Sequence, residues 1–391
     1  MECRGWRVAC AVVFGAALTA CSESPTTAPG EAPPAAVPDV DWDVAPPEEH
    51  GMAPESLEAA RAYAFADGMN TQGVVVVHDG VIVAEWYADG ADEESWAASW
   101  SVAKSFTSAL VGIAIEDGLI PGVDEPMTTY FPEWAGTERE TMTLRDVLQM
   151  SSGLDWLEDY DPAAVAESDI IRLVLAERDQ LAYASSRPAA DEPGSVWSYS
   201  SGDTMLLSGV LEQATGMPAD EYARRELFDP LGLEQAEWWR DARGHTLTYC
   251  CLDTTSRGFA RLGLLYERQG SWGGDQVVPR EWVAESLDAA PQSGGAYGYQ
   301  WWLDQADELP DDTFAALGHD GQYIYVMPGL DLVVVRNGTY VKDPGPPIAD
   351  PNLFEKYPSD GLVPGKGTIN PEQGWDDAEF LHPIVQSLTE A

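Results

Sequence analysis

Ser101-Val-Ala-Lys-Ser-Phe-Thr-Ser-Ala-Leu-Val-Gly-Ile-Ala-Ile115 is the stretch on which the reading of this chain turns. It is a long apolar run. A helix beginning near Ser101 sets Ser101 and Lys104 one turn apart on one face, because residues three apart are helix neighbours. A serine hydroxyl is a weak nucleophile until a nearby base takes its proton. A lysine held among apolar groups loses basicity and can serve as that base. Lys104 is also poorly placed as a structural cation, since the first helical turn carries the positive end of the helix dipole. A Ser-x-x-Lys pair arises by chance often enough that its company decides its meaning.

Three further segments supply that company. Tyr199-Ser200-Ser201-Gly202-Asp203-Thr204 follows the turn Glu192-Pro193-Gly194 and leads into an apolar helix. His319-Asp320-Gly321 precedes a β-rich run, and Met150-Ser-Ser-Gly-Leu-Asp-Trp156 closes a helix. Each has a bland reading by itself: a rim aromatic, a hairpin turn of the kind His78-Asp79-Gly80 makes, a helix stop. Their joint order is the specific signal. In order and spacing they resemble the serine β-lactamase and penicillin-binding-protein superfamily, within it the class C-like serine hydrolases, a group that includes esterases, D-amino-acid peptidases and 6-aminohexanoate-dimer hydrolases. The resemblance runs from about residue 50 to residue 390.

The resemblance implies an α/β (α+β) fold of the β-lactamase/transpeptidase type, an antiparallel sheet flanked by helices with a mainly helical region inserted over about 136–254. It implies Ser101 as acylated nucleophile and Lys104 as its proton partner. Tyr199 matches the tyrosine that works with the lysine as general base and relays a proton to the leaving group. His319 and Gly321 match a strand edging the cleft, and the backbone N–H groups of Ser101 and Gln322 form the implied oxyanion hole. A positive Lys104 beside Tyr199 is expected to lower the phenol's pKa. Ser201 stands where relatives usually carry an asparagine that contacts the lysine and the substrate amide, a departure that speaks against β-lactam hydrolysis. Leu157-Glu-Asp-Tyr160 resembles the acidic-aromatic stretch of the nylon-oligomer hydrolases, which implies that Tyr160 helps bind an amide.

The expected function is an exported serine hydrolase that acts through an acyl-enzyme on ester or small linear amide bonds. A β-lactamase or D-Ala-D-Ala carboxypeptidase-like penicillin-binding protein is one alternative, and a non-catalytic sensor with the same fold is another. No carboxylate pair stands out from the acidic background, which disfavours a glycosidase.

The N-terminus has its own organisation. Arg4 and Arg7 precede an apolar stretch from Val8 to Leu18, too short for a stable membrane span, so residues 1–20 are expected to be a secretory signal. Leu18-Thr19-Ala20-Cys21 resembles a lipobox, with Cys21 as the lipidated residue and membrane anchor; ordinary cleavage near Ala20 is the alternative. Residues 21–47, rich in Pro, Ala, Ser and Thr, are expected to be a tether to a hydrolase domain over 48–391. The localisation this implies is the cell envelope. Cys250 and Cys251 are then expected to be two buried small apolar residues, with a bridge between neighbours as the strained alternative. No cofactor is implied, and no His/Cys spacing suggests a metal.

β-Branched runs over 73–78 and 81–87, joined by Asp79-Gly80, predict a hairpin. Helices are expected over 54–66, 143–150, 170–176, 204–214, 258–266 and 378–388, and strands over 297–302, 322–326 and 330–335. Pro344 to Gly374 reads as a surface loop.

The 391 residues carry 66 acidic against 21 basic groups, a net charge of −45. Such a field repels nucleic acid and excludes it as a partner. The acidity is spread along the chain with few lysines, the pattern of a surface suited to high salt, where screening removes self-repulsion. Thermal unfolding followed from low to molar salt should show a rising midpoint; a midpoint that stays flat or falls would refute the salt adaptation.

Overall fold

Asp79 and Gly80 both sit at positive φ, 53° and 80°, the backbone of a two-residue turn whose twist matches that of the strands it joins. The computed structural model describes residues 38, 41–160, 167–303, 306, 308–340 and 375–388. In chain order its regular elements are α1 (Pro54–Ala64), β1 (Thr71–His78), β2 (Val81–Tyr87), β3 (Trp96–Ala98), α2 (Ala103–Glu116), α3 (Leu144–Leu148), α4 (Asp169–Ala176), α5 (Gln180–Ser186), α6 (Ser201–Thr215), α7 (Ala219–Ala223), β4 (Ala236–Trp238), β5 (Leu252–Thr255), α8 (Ser256–Glu267), β6 (Ser271–Trp272), β7 (Asp275–Gln276), α9 (Arg280–Ser286), β8 (Phe314–Gly318), β9 (Gln322–Met327), β10 (Leu332–Gly338) and α10 (Asp377–Ser387).

The main sheet runs β2-β1-β10-β9-β8 and is antiparallel throughout. Strands from the two ends of the chain meet at β1 and β10, as strand signals at both ends and helices between them require. Both faces are apolar, and alternate residues sort between them. Val74, Val76, Tyr325 and Val334 join α1 and α10 in one core cluster. Val75, Val77, Ile324, Val333 and Val335 face the other cluster, which contains α8 and α2. Helix α2 is buried from Ala103 to Ala114 on every side, so it is the central post of the structure. The inserted region over 136–254 holds α3 to α7 and also β4 and the start of β5, which pair with β3 in a second, three-stranded sheet.

Three expectations need correction. Residues 297–302 form no strand: two isolated bridges, Tyr297 to Trp302 and Trp302 to Ala315, replace it. Gln300 there turns at φ 65°, and its polar groups are claimed by the core. Its carbonyl accepts from Ser105 Oγ at 2.7 Å, its Oε1 from Thr204 Oγ1 at 2.7 Å, and its Nε2 donates to the Leu148 carbonyl at 2.8 Å. Cys250 and Cys251 are buried as expected but are also joined in a disulfide. Residues 42–47, expected to belong to the tether, pack with the hydrolase domain: Trp42 is buried against the Arg261 guanidinium and Val44 pairs with Ile82. Residues 1–37, including Cys21, and the 344–374 segment up to Gly374 lie outside the described residues.

Helix α8 reaches the sheet through Gly263, where an added Cβ would lie 2.5 Å from Val333 Cγ1 and 2.9 Å from Ile324 Cγ2. Both are branched residues on rigid strands, so neither yields cheaply. Gly263→Ala should destabilise the fold by about 1–3 kcal/mol, the usual cost of overpacking. Differential scanning calorimetry should report it as a lower Tm, and an unchanged Tm would mean the helix lifts from the sheet without cost.

Candidate active site

The nucleophile candidate stands on a sharp turn. Trp100–Val102 is a short 3-10 segment just ahead of α2, and Trp100 is held at φ 43°, an uncommon backbone for a bulky residue. The turn is pinned from below. Ser99 N–H donates to the Leu252 carbonyl at 2.9 Å, and Leu252 N–H donates to Ser99 Oγ at 2.9 Å. Ser101 consequently stays partly exposed, while Lys104 on the first turn of α2 is 1% exposed.

Lys104 Nζ has three oxygen neighbours: Ser101 Oγ at 3.0 Å, Ser201 Oγ at 3.0 Å and the Tyr249 carbonyl at 3.1 Å. It also lies 5.0 Å from the centre of the Tyr199 ring. Burial lowers its pKa to about 8, with the nearby Glu158 charge opposing that fall. A group titrating there is divided between amine and ammonium close to neutrality, which suits proton transfer.

Tyr199 departs from expectation. Desolvation in the crowded site raises its phenol well above the ordinary value and Glu158 adds to this, while a hydrogen bond with Ser101 works the other way. Burial outweighs the lowering expected from Lys104, so the lysine is the group poised to take a proton and the phenol keeps its own. The Tyr199 ring stacks on Trp302 at 5.4 Å and meets Tyr297 edge-on at 6.0 Å, which fixes its direction.

The Tyr-Ser-Ser segment is aimed by a helix cap. Ser200 is the N-cap of α6 and accepts from Asp203 N–H at 2.9 Å, so Ser201 opens the helix beside Lys104. Asp203 in turn accepts from Ser152 Oγ at 2.7 Å, and burial lifts its carboxyl to about 7. This bond ties the Met150–Trp156 segment to α6. Ser201 therefore makes the lysine contact that the sequence pattern assigned to an asparagine.

On the opposite wall, β8 ends at Gly318, where a side chain would come within 2.5 Å of the Ser99 carbonyl and 3.2 Å of Ser101 N. Gln322 is Gly318's partner across the strand pair, so the backbones of Ser101 and Gln322 converge there. His319 Nδ1 lies 2.7 Å from Asp320 Oδ1, and its ring sits 5.5 Å from that of Trp100 and 5.0 Å from that of Tyr160. Asp320 and Gly321 turn at φ 60° and 76°. Buried Arg336 donates to the carbonyls of both residues, at 3.1 Å and 2.6 Å, and so holds the turn from beneath the sheet.

Sequence reasoning singled out Tyr160 but missed its neighbour Glu158. The Glu158 carboxylate accepts from Ser201 N–H at 2.9 Å, Ser201 Oγ at 2.6 Å, Trp156 Nε1 at 2.6 Å and Tyr160 OH at 2.8 Å. Tyr160's hydroxyl proton is thus committed, and its lone pairs are what it could offer an amide N–H. One acidic residue among 66 carried no signal of its own beyond its place between two aromatics. Among the described residues, His50, His78 and Asp79 bring three potential metal-binding atoms within 4.8 Å of one another. They belong to the β1–β2 hairpin and the turn before α1, elements that hold none of the motif residues.

The chain is similar to several known hydrolases. A 6-aminohexanoate-dimer hydrolase of Paenarthrobacter ureafaciens is 26% identical over 286 residues, 68% of this chain and 72% of that protein. An esterase/beta-lactamase of Mycobacterium tuberculosis is 27% identical over 164 residues, 39% of this chain and 35% of its own length. Among solved structures, a putative 6-aminohexanoate-dimer hydrolase from Bacillus anthracis superposes with a TM-score of 0.62 at 25% identity, covering 78% of this chain and 81% of that one. Residues 58–350 match the beta-lactamase family, and the chain belongs to that family of serine hydrolases.

Proposed function

We propose that this protein hydrolyses short linear esters and small linear amides through an acyl-enzyme on Ser101. The observation that carries this is the buried Lys104 amine 3.0 Å from Ser101 Oγ with its pKa brought down to about 8. In the proposed cycle neutral Lys104 takes the hydroxyl proton as Ser101 Oγ attacks the carbonyl carbon. The oxyanion then forms against the N–H groups of Ser101 and Gln322. Tyr199, protonated and hydrogen-bonded to Ser101, passes a proton to the leaving oxygen or nitrogen and is reprotonated from Lys104. Water repeats the sequence on the acyl-enzyme.

Ester and linear-amide relatives support the substrate class: the similar proteins include a 6-aminohexanoate-dimer hydrolase and an esterase/beta-lactamase. Ser201 disfavours β-lactams, because its one hydroxyl proton goes to Glu158 and cannot be donated to a lactam's side-chain carbonyl. The intact Ser101–Lys104 contact disfavours the sensor reading. Export with a lipid anchor at Cys21 is part of the proposal, and the Cys250–Cys251 disulfide is in keeping with an oxidising compartment.

A fluorophosphonate probe should label wild type on the peptide containing Ser101, and Ser101→Ala should lose both label and turnover while keeping its Tm. An adduct on another serine would overturn the assignment. On substrates, kcat/KM for p-nitrophenyl butyrate should exceed that for a chromogenic cephalosporin, and the reverse ranking would favour the β-lactamase reading. A second expectation concerns pH. The base must be neutral, and the neutral fraction of Lys104 grows as pH rises, so kcat/KM should climb through an inflection near 8. Lys104→Ala should lower kcat by about 10²–10⁴-fold, and a wild-type rate flat from pH 6 to 9 would exclude lysine as the base.

A further inference from the structure

For Lys104 to act as the base, its lone pair has to face Ser101 rather than one of its other two neighbours, Ser201 and the Tyr249 carbonyl. We infer that Glu158 is a positioning residue that fixes the hydrogen-bond direction at Lys104 through Ser201. A carboxylate only accepts hydrogen bonds. Ser201 has one hydroxyl proton, and the 2.6 Å contact to Glu158 Oε1 uses it. The Ser201 oxygen can then only accept from Lys104 Nζ, 3.0 Å away. The Tyr249 carbonyl, 3.1 Å from Nζ, can also only accept. A neutral amine has two protons and one lone pair. Its protons go to Ser201 and Tyr249, and the lone pair is left for the third neighbour, Ser101 Oγ at 3.0 Å.

Without Glu158 the Ser201 hydroxyl is free to donate to Nζ. The lone pair would then be consumed there, and an N–H would point at Ser101, the wrong polarity for a base. Glu158 is itself held for this task. Trp156 Nε1, Tyr160 OH and Ser201 N–H all donate to it. Its loop is anchored where Leu157 N–H donates to Asp169 Oδ2 at 2.9 Å and Asp169 N–H returns to the Leu157 carbonyl at 3.0 Å. With four donors in place, Glu158 has little capacity left for a substrate ammonium, so its role is internal to the site. Its charge acts in the same place, opposing the effect of burial on Lys104.

The inference rests on the acyl-enzyme reading, and the test keeps the two apart. Glu158→Gln keeps the shape, removes the charge and allows the amide to donate to Ser201. Its kcat on p-nitrophenyl butyrate should fall about 10- to 100-fold, part of what a general base contributes, with KM changed less than about threefold. Its kcat/KM inflection should move to lower pH, because the charge that supports the ammonium is gone. A loss of kcat with the inflection unmoved would mark a merely structural role and overturn the inference, as would an unchanged kcat. Should Glu158→Gln not fold, Ser201→Ala removes the same acceptor and must show the kcat loss at its pH plateau; a wild-type plateau there would overturn it equally. Failure of the wild type to label at Ser101 would instead remove the parent reading, whatever the Glu158 result.

Discussion

A lysine side chain with 1% exposure has to be solvated by the protein that buries it, and the arrangement of the site follows from that demand. Taking an ammonium out of water costs several kcal/mol even after relaxation. Three oxygen neighbours at 3.0–3.1 Å, each worth about 1.5–3 kcal/mol as a charged hydrogen bond, offset part of that cost. The part left uncompensated is what burial takes from the Lys104 pKa, bringing it down to about 8 against the opposing charge of Glu158.

Each of the three neighbours is delivered by a different part of the chain. Ser101 comes from the turn strained at Trp100, Ser201 from the capped start of α6, and the Tyr249 carbonyl from the segment just ahead of the Cys250–Cys251 disulfide. Their convergence requires α2 to be held from all sides, which explains why so long a helix has no solvated face among Ala103 to Ala114. It also explains the Gln300 knot. One residue bonds to Ser105 on α2, Thr204 on α6 and the Leu148 carbonyl at the end of α3, joining the elements that carry the site.

The legible parts of the sequence were those whose signal is local. The hairpin at Asp79-Gly80 and the apolar run after Ser101 are written in adjacent residues. The four motifs were legible because their order carries information that no one of them does. What was not legible depended on tertiary contacts. The Tyr297–Trp302 run looks like a strand by composition, but Gln300 turns within it and bonds to Ser105, Thr204 and the Leu148 carbonyl instead of to a neighbouring strand. The pKa of Tyr199 was misjudged because charge proximity can be inferred from a motif, whereas the depth of burial cannot. Glu158 was invisible for a related reason: an acidic residue announces a role only when its donors are known, and three of its four donors sit on residues already noticed for other reasons.

The exchange of asparagine for Ser201 changes what the site can recognise as well as what it contacts. An asparagine presents both a donor and an acceptor, so it can hold the lysine and a substrate amide together. A serine has one proton, and here Glu158 takes it. The lysine contact is therefore kept while the outward-facing donor is lost, and recognition has to come from elsewhere in the cleft. The candidates in the site are aromatic: Tyr199 stacked on Trp302, and Tyr160 and Trp100 both in ring contact with His319. Aromatic walls bind by area and shape more than by directed hydrogen bonds, which suits the proposed acceptance of ester oxygen and amide nitrogen alike. A serine, lysine and tyrosine core behind such walls supports the proposal of small linear substrates of both kinds, where the chemistry at the carbonyl is common and the flanking groups are not.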